Sequence, residues 1–106
     1  NIKKLLMIGA SYSIDNEIPL STEVSIKNTN HPHHHNFFIC TNKEDYDLLK
    51  KSPFNVVLQD KQIENDDGSL SWYAYRKNIR YINIETRLGH LRTQSEMLKY
   101  VNDNLF

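Results

Sequence analysis

Cysteine and glycine are scarce in this chain of 106 residues, which contains one cysteine and three glycines. The lone cysteine, Cys40, excludes an intramolecular disulfide and is typical of a reducing compartment. So few glycines nearly rule out a loop that cradles phosphate. Ser11 and Ser13 follow Gly9, but this segment has neither the lysine nor the glycine spacing of a phosphate-binding loop. The sequence also contains no Gly-x-Ser-x-Gly motif.

Long apolar runs and an excess of one charge are missing as well. No uninterrupted apolar run is longer than Leu5–Ile8, whereas a membrane-spanning helix needs about 20 apolar residues. No positively charged start leads into a stretch of signal-peptide type. We therefore predict a soluble, cytoplasmic protein without membrane contact. The 13 basic and 13 acidic side chains balance, which argues against a dedicated nucleic-acid binder and against a DNA partner in particular.

The composition that remains predicts a single α+β domain over residues 1–106. Hydrophobic residues make up 39% and charged residues 25%, which suffices for one core without disulfides or metal. The expected order is βββαβββα, in a single mixed or antiparallel sheet with two helices on one face and the other face partly exposed. The predicted strands are 2–8, 23–27, 36–40, 54–58, 69–76 and 79–85, and the predicted helices are 43–51 and 94–104.

The first helix has the clearest boundaries. Thr41 precedes a glutamate by three residues, which is the spacing of a capping box, and acidic residues fill the first turn, where the helix dipole favours them. Pro53 prevents continuation of the helix. We expect this helix to bury Tyr46 and Leu49, with Leu48 as a further candidate. Residues 36–58 are thus predicted to form a strand–helix–strand unit, long enough to connect two parallel strands.

The C-terminal half is predicted to contain a hairpin followed by a helix. Asp67–Gly68 is a strong turn dipeptide, and the alternation from Leu70 to Ala74 predicts a strand. With a second turn at Lys77–Asn78, residues 69–85 form an antiparallel hairpin in this prediction. The final helix has an apolar stripe at helical spacing, formed by Leu91, Leu98, Val101 and Leu105. Gly89 leaves open whether this helix begins near Arg87 or near Gln94.

Four of the five histidines cluster in one polar segment. They are His31, His33, His34 and His35. Imidazole is a common zinc ligand, but adjacent residues of an extended segment point to opposite sides, so only His33 and His35 could converge on one metal. We predict an exposed loop with no metal and no cofactor, and a metal site at His33 and His35 is the weaker alternative.

A basic and aromatic cluster lies further along the chain, where all four arginines fall between residues 76 and 92. Trp, Tyr and Arg most often dominate protein interfaces, while aromatic faces with guanidinium groups can also hold RNA. A purely structural role, with Trp72 in the core and the arginines paired with acidic residues, stays open. The candidate binding residues are Trp72, Tyr73, Tyr75, Arg76, Arg80, Tyr81, Arg87 and Arg92.

Catalytic residues are harder to find. Cys40 ends an apolar strand and is expected to be an inert core thiol. If the protein is an enzyme, the best set is His90, Glu85 and Arg87, because a histidine, a carboxylate and a cation suffice for a metal-independent ribonuclease. A lone histidine beside arginines is more often an ordinary surface residue, so an enzyme is not the favoured prediction.

The leading hypothesis is a small binding module that acts through a protein–protein interface, as an inhibitor, an immunity-type protein or an accessory subunit. It depends on the Trp/Tyr/Arg surface and on the acidic run before it, which together offer complementary charge to a partner. The acidic run consists of Asp60, Glu64, Asp66 and Asp67. The alternative is a small RNA-binding protein or a ribonuclease.

Overall fold

The structure, a computed structural model, describes residues 4–10, 13–27, 35–60 and 70–106. Within these ranges five strands form one sheet in the order β1-β5-β3-β4-β2. The β1–β5 and β3–β4 pairs are parallel, and the β3–β5 and β2–β4 pairs are antiparallel. The protein is therefore α+β with a mixed sheet, as predicted. The strands are β1 (Lys4–Ala10), β2 (Glu23–Ser25), β3 (Phe37–Cys40), β4 (Asn55–Leu58) and β5 (Arg80–Thr86).

Three α-helices and two short 3-10 turns accompany the sheet in the described ranges. The helices are α1 (Lys43–Leu49), α2 (Leu70–Arg76) and α3 (Leu91–Asn104), and the turns are Ile14–Asn16 and Ile18–Leu20. None of these helices is long and apolar enough to cross a membrane.

The strand–helix–strand prediction for 36–58 is confirmed, because α1 connects the parallel strands β3 and β4. Tyr46 and Leu49 are buried as expected. The cap differs by one residue: Asn42 is the N-cap, and its side chain accepts from the backbone N–H groups of Glu44 and Asp45. Thr41 instead donates to the carbonyl of Ile79 and so links β3 to the start of β5.

The first face of the sheet is covered by α1 and α3. Phe38, Val56 and Ile82 pack there against residues of both helices. The buried stripe of α3 is Met97, Val101 and Leu105 rather than one that includes Leu91 and Leu98, which are 71% and 37% exposed. The helix begins at Leu91, between the two alternative starts near Arg87 and Gln94, and reaches Asn104.

The second face is packed by α2 and the first 3-10 turn. Ile14, Ala74 and Tyr81 are buried there with Phe37 and Ile39. The predicted strand 69–76, and with it the hairpin 69–85, is therefore wrong, because Leu70–Arg76 is helical. The element order is βββαβαβα, and helices lie on both faces. The predicted turn Asp67–Gly68 lies outside the described residues.

The end of α2 explains the misassignment. Asn78 has a left-handed backbone with φ of 54°, and the N–H groups of Asn78 and Ile79 donate to the carbonyls of Tyr75 and Ala74. This is the Schellman arrangement that ends a helix. Asparagine accepts the left-handed conformation in hairpin turns as well, so Lys77–Asn78 was compatible with both elements. Seven residues are too few for periodicity to separate a helix from a strand.

Candidate functional site

The eight predicted binding residues fall on three separate parts of the molecule. On α2, Tyr73 and Arg76 are exposed and Tyr75 is half-buried; the side chain of Trp72 lies outside the description. Arg80 and Tyr81 open β5, whereas Arg87 follows its end and Arg92 lies in the first turn of α3. A strand of this length separates its two ends by about 20 Å. The residues at its start therefore do not form one continuous surface with Arg87 and Arg92.

Arg80 has a structural role. Its Nε and Nη2 donate to the two carboxylate oxygens of Asp45 at 2.8 and 2.6 Å, and Nη2 also donates to the carbonyl of Leu105 at 2.8 Å. The hydrogen bonds to Asp45 raise the pKa of Arg80, and burial opposes that shift. Arg80 thereby connects α1, β5 and the end of α3.

Tyr81 belongs to the interior of the second face. Its side chain is 3% exposed and packs in the cluster that contains Ala74. Burial raises the pKa of Tyr81 to about 12. A surface partner cannot reach this side chain without rearrangement of the fold.

Arg87, by contrast, lies beside a small cavity at the junction between β5 and α3. The cavity has a volume of about 80 Å³. Gly89 has φ of +90°, a conformation that favours glycine, and it allows the chain to reverse before α3. The lining residues are Gly9, Thr86, Arg87, Leu88, Gly89, His90, Leu91 and Gln94. We call residues 87–92 the 87–92 tip.

Apolar side chains at the 87–92 tip are unusually exposed. Leu88 is 86% exposed and Leu91 is 71% exposed, and Ile8, next to Gly9, is 45% exposed. Arg92 is exposed too and pairs with Glu96 at 3.3 Å. The sequence analysis missed this feature, because Leu91 fits the helical stripe of α3 and nothing local to Leu88 indicates its exposure.

The predicted catalytic set is not assembled in one place. Arg87 and His90 line the same cavity, but Glu85 does not. Glu85 follows the alternation of β5 onto the second face, where Asn83 Nδ2 donates to its Oε1 at 2.7 Å. His90 is the N-cap residue of α3, which covers the first face, and its side chain makes no capping hydrogen bond.

Glu85 belongs to a cluster of buried polar side chains that the sequence analysis did not identify. Glu85 and Glu17 are each 7% exposed, and Gln59 is 1% exposed. Gln59 Nε2 donates to Glu17 Oε2 at 3.4 Å. Burial is the main cause that raises the pKa of Glu85; the hydrogen bond from Asn83 opposes it and the charge of Glu17 adds to it. We call the two neighbours on β5 the Asn83–Glu85 pair.

The structure describes only His35 of the clustered histidines, and it places Cys40 in the core. His35 is exposed, while His31, His33 and His34 lie outside the described residues, so the prediction for that loop remains a prediction. Across the part of the chain that is described, no group of three or more His, Cys, Asp or Glu residues could hold a metal ion. Burial raises the pKa of the Cys40 thiol, and Cys40 Sγ lies 3.7 Å from the carbonyl oxygen of Val57. Such a thiol is a poor nucleophile.

No protein-family model, curated protein or solved structure matches this chain. The function must therefore be argued from the geometry of the chain itself.

Proposed function

We propose that this protein is a small binding module that acts through a protein–protein interface centred on the 87–92 tip. The observation that carries the proposal is the exposure of Leu88 and Leu91 beside one cavity. Single exposed leucines are ordinary on protein surfaces. Two of them at one cavity form the kind of apolar patch that marks interaction sites.

Burial of these leucines would supply binding energy. Full burial of one leucine side chain contributes about 1.5–3 kcal/mol, and both leucines keep most of their surface in water. The cavity of about 80 Å³ has room for a small aliphatic group of the partner. A protein surface can therefore both cover the leucines and insert a side chain between them.

The charges around the leucines indicate the chemistry of the partner. Arg87 and Arg92 flank Leu88 and Leu91, and Arg92 also pairs with the exposed Glu96 at 3.3 Å. Arginine at the rim of an apolar centre is typical of protein interfaces. We infer a partner surface with an aliphatic side chain and carboxylates around it. An inhibitor, an immunity-type protein and an accessory subunit would all act through such a contact.

The test is site-specific photo-crosslinking in the cells that produce the protein. A photoreactive phenylalanine replaces Leu88, and the control carries it at Lys51, an exposed position after α1. We expect one dominant crosslinked protein from position 88 and none from position 51. Leu91→Asp should abolish that crosslink, whereas Tyr73→Ala, on the exposed side of α2, should leave it unchanged.

Three results would count against the proposal. Equal crosslinking from both positions would mean that the 87–92 tip has no specific partner. Retention of the crosslink in Leu91→Asp would place the contact elsewhere. A crosslink to RNA that nuclease removes would favour the RNA-binding alternative, in which Arg87 contacts phosphate and binding weakens steeply with salt.

A further inference from the structure

The Asn83–Glu85 pair is held against the neighbouring edge strand. Gly9 of β1 is in register with Glu85, and a Cβ atom at Gly9 would stand 3.2 Å from Glu85 Oε1. The absence of a side chain at Gly9 therefore lets the carboxylate lie beside the β1 backbone. β1 and β5 are parallel, and ligands of α/β sheets commonly bind where neighbouring parallel strands end.

Two oxygen atoms of the pair lack a partner. Among the described residues, Asn83 Oδ1 and Glu85 Oε2 are buried and accept no hydrogen bond. Buried polar atoms nearly always have one, and Glu85 as a whole is 7% exposed. Both atoms are acceptors, so the missing group is a hydrogen-bond donor. The Tyr81 hydroxyl also interacts with the Asn83 side chain, so Glu85 Oε2 has the clearer need of a donor from outside the protein.

The charge around the pair favours a positively charged donor. The pKa of Glu85 is raised by burial and by the like charge of Glu17, which shows that this environment disfavours a second negative charge. A paired cation would remove that penalty. An ammonium group carries three donors and one positive charge. The described residues hold no cluster suited to a metal ion, so an organic cation fits the donor requirement better.

We propose that the Asn83–Glu85 pair binds a protonated primary amine, which donates one hydrogen bond to Glu85 Oε2 and another to Asn83 Oδ1. Met7, in register with Asn83 on the edge strand β1, is 36% exposed, so the amine would approach the buried pair from this edge of the sheet. The proposal is independent of the partner at the 87–92 tip, whose cavity Glu85 does not line.

The test is an NMR titration of the full chain with putrescine, with 1,4-butanediol as the matched uncharged probe. We expect putrescine, and not the diol, to shift the side-chain amide signals of Asn83 to saturation. Glu85→Gln should weaken this binding at least tenfold. Glu96→Gln, which neutralises an exposed carboxylate on α3, should leave it unchanged.

The pH dependence of putrescine binding to the wild-type protein is a second measurement that needs no variant. The amine stays protonated below a pKa of about 10.4, so its own charge is constant between acidic and neutral pH. The carboxyl groups at this site are Glu85, which accepts from the amine, and Glu17, whose negative charge acts on Glu85. Affinity should rise with pH as Glu85 ionises. Absence of a saturable shift, an equal response to the diol, or affinity unaffected by pH and by Glu85→Gln would each overturn the proposal.

Discussion

At the scale of single residues, the ionisation of Glu85 sets a pH dependence of stability. Its pKa is raised in the folded protein, so the folded state binds this proton more tightly than the unfolded state. The contribution of Glu85 to stability is thus fully present below the ordinary glutamate pKa and is lost as pH rises through the raised pKa. We expect Glu85→Gln to increase the free energy of unfolding at neutral pH, with a gain that shrinks in acid.

Urea denaturation of the wild type and Glu85→Gln at several pH values measures this effect. The glutamine can still accept from Asn83, and its amide can supply a donor that the carboxylate lacks. Glu96→Gln is the control, because its carboxylate is exposed on α3. A Glu85→Gln gain that stayed constant from acidic to neutral pH would contradict the assignment.

The ion pair between Asp45 and Arg80 is a second contribution of single residues to the stability of the fold. Asp45 is 2% exposed and accepts both of its short hydrogen bonds from the same guanidinium. Asp45→Asn keeps the shape but removes the charge and one acceptor. We expect a loss of about 2–3 kcal/mol in the free energy of unfolding, because a partly buried cation remains without its partner.

Chemical denaturation of Asp45→Asn against Glu96→Gln checks this prediction. The control removes the exposed pair between Arg92 and Glu96, and exposed pairs contribute little. Similar small losses in both variants would show that Arg80 gains no more from its partner than a surface arginine does.

At the scale of elements, α2 is the segment whose packing distinguishes this fold from a sheet with one open face. Ala74 is fully buried between α2 and the strands, whereas Tyr73 beside it is 45% exposed. Ala74→Leu forces extra methylene groups into a packed space and should lower the free energy of unfolding by about 1–3 kcal/mol. Tyr73→Leu should change it by about 0.5 kcal/mol or less.

The midpoint of urea unfolding, at an unchanged slope, is the appropriate measurement for both α2 variants. If Ala74→Leu were as stable as the wild type, the second face would have room for a larger residue under α2. That outcome would contradict the packing of the helix described above.

At the scale of the whole molecule, β3 supports two cores at once. Phe37 and Phe38 are adjacent, both are fully buried, and they belong to the clusters on opposite faces. We expect Phe37→Ala and Phe38→Ala each to lower the free energy of unfolding by about 3–5 kcal/mol. A sheet covered on only one face would make one of the two replacements nearly harmless.

The measurement is denaturant unfolding followed by two probes, circular dichroism and tyrosine fluorescence. Coincident transitions in both variants would mean that the two cores unfold as one unit. Phe37→Leu and Phe38→Leu extend the comparison if an alanine variant does not fold, since domains of this size have only about 5–15 kcal/mol of stability. A large loss in one variant and none in its neighbour would refute a core on each face.

Local sequence determined most of the elements. Backbone preference, capping and the period of burial are properties of short segments. Local sequence therefore predicts the apolar strands β3 and β4, the start of α1 at its acidic first turn, and the end of α1 before Pro53. The parallel crossover from β3 to β4 follows from that spacing. For the same reason α3 was correctly predicted, although two residues of its predicted stripe, Leu91 and Leu98, are exposed.

Tertiary structure decided whatever depends on residues far apart in the chain. Helix α2 is a helix because Ala74 packs against the second face, and its short segment fits either period. Arg80 has a structural role because α1 places Asp45 beside it. The predicted binding residues do not form one surface because they lie at opposite ends of β5. The Asn83–Glu85 pair depends on Gly9 from β1 and Glu17 from the 3-10 region. No local pattern encodes such contacts, since burial and charge at these positions are set by which elements pack together.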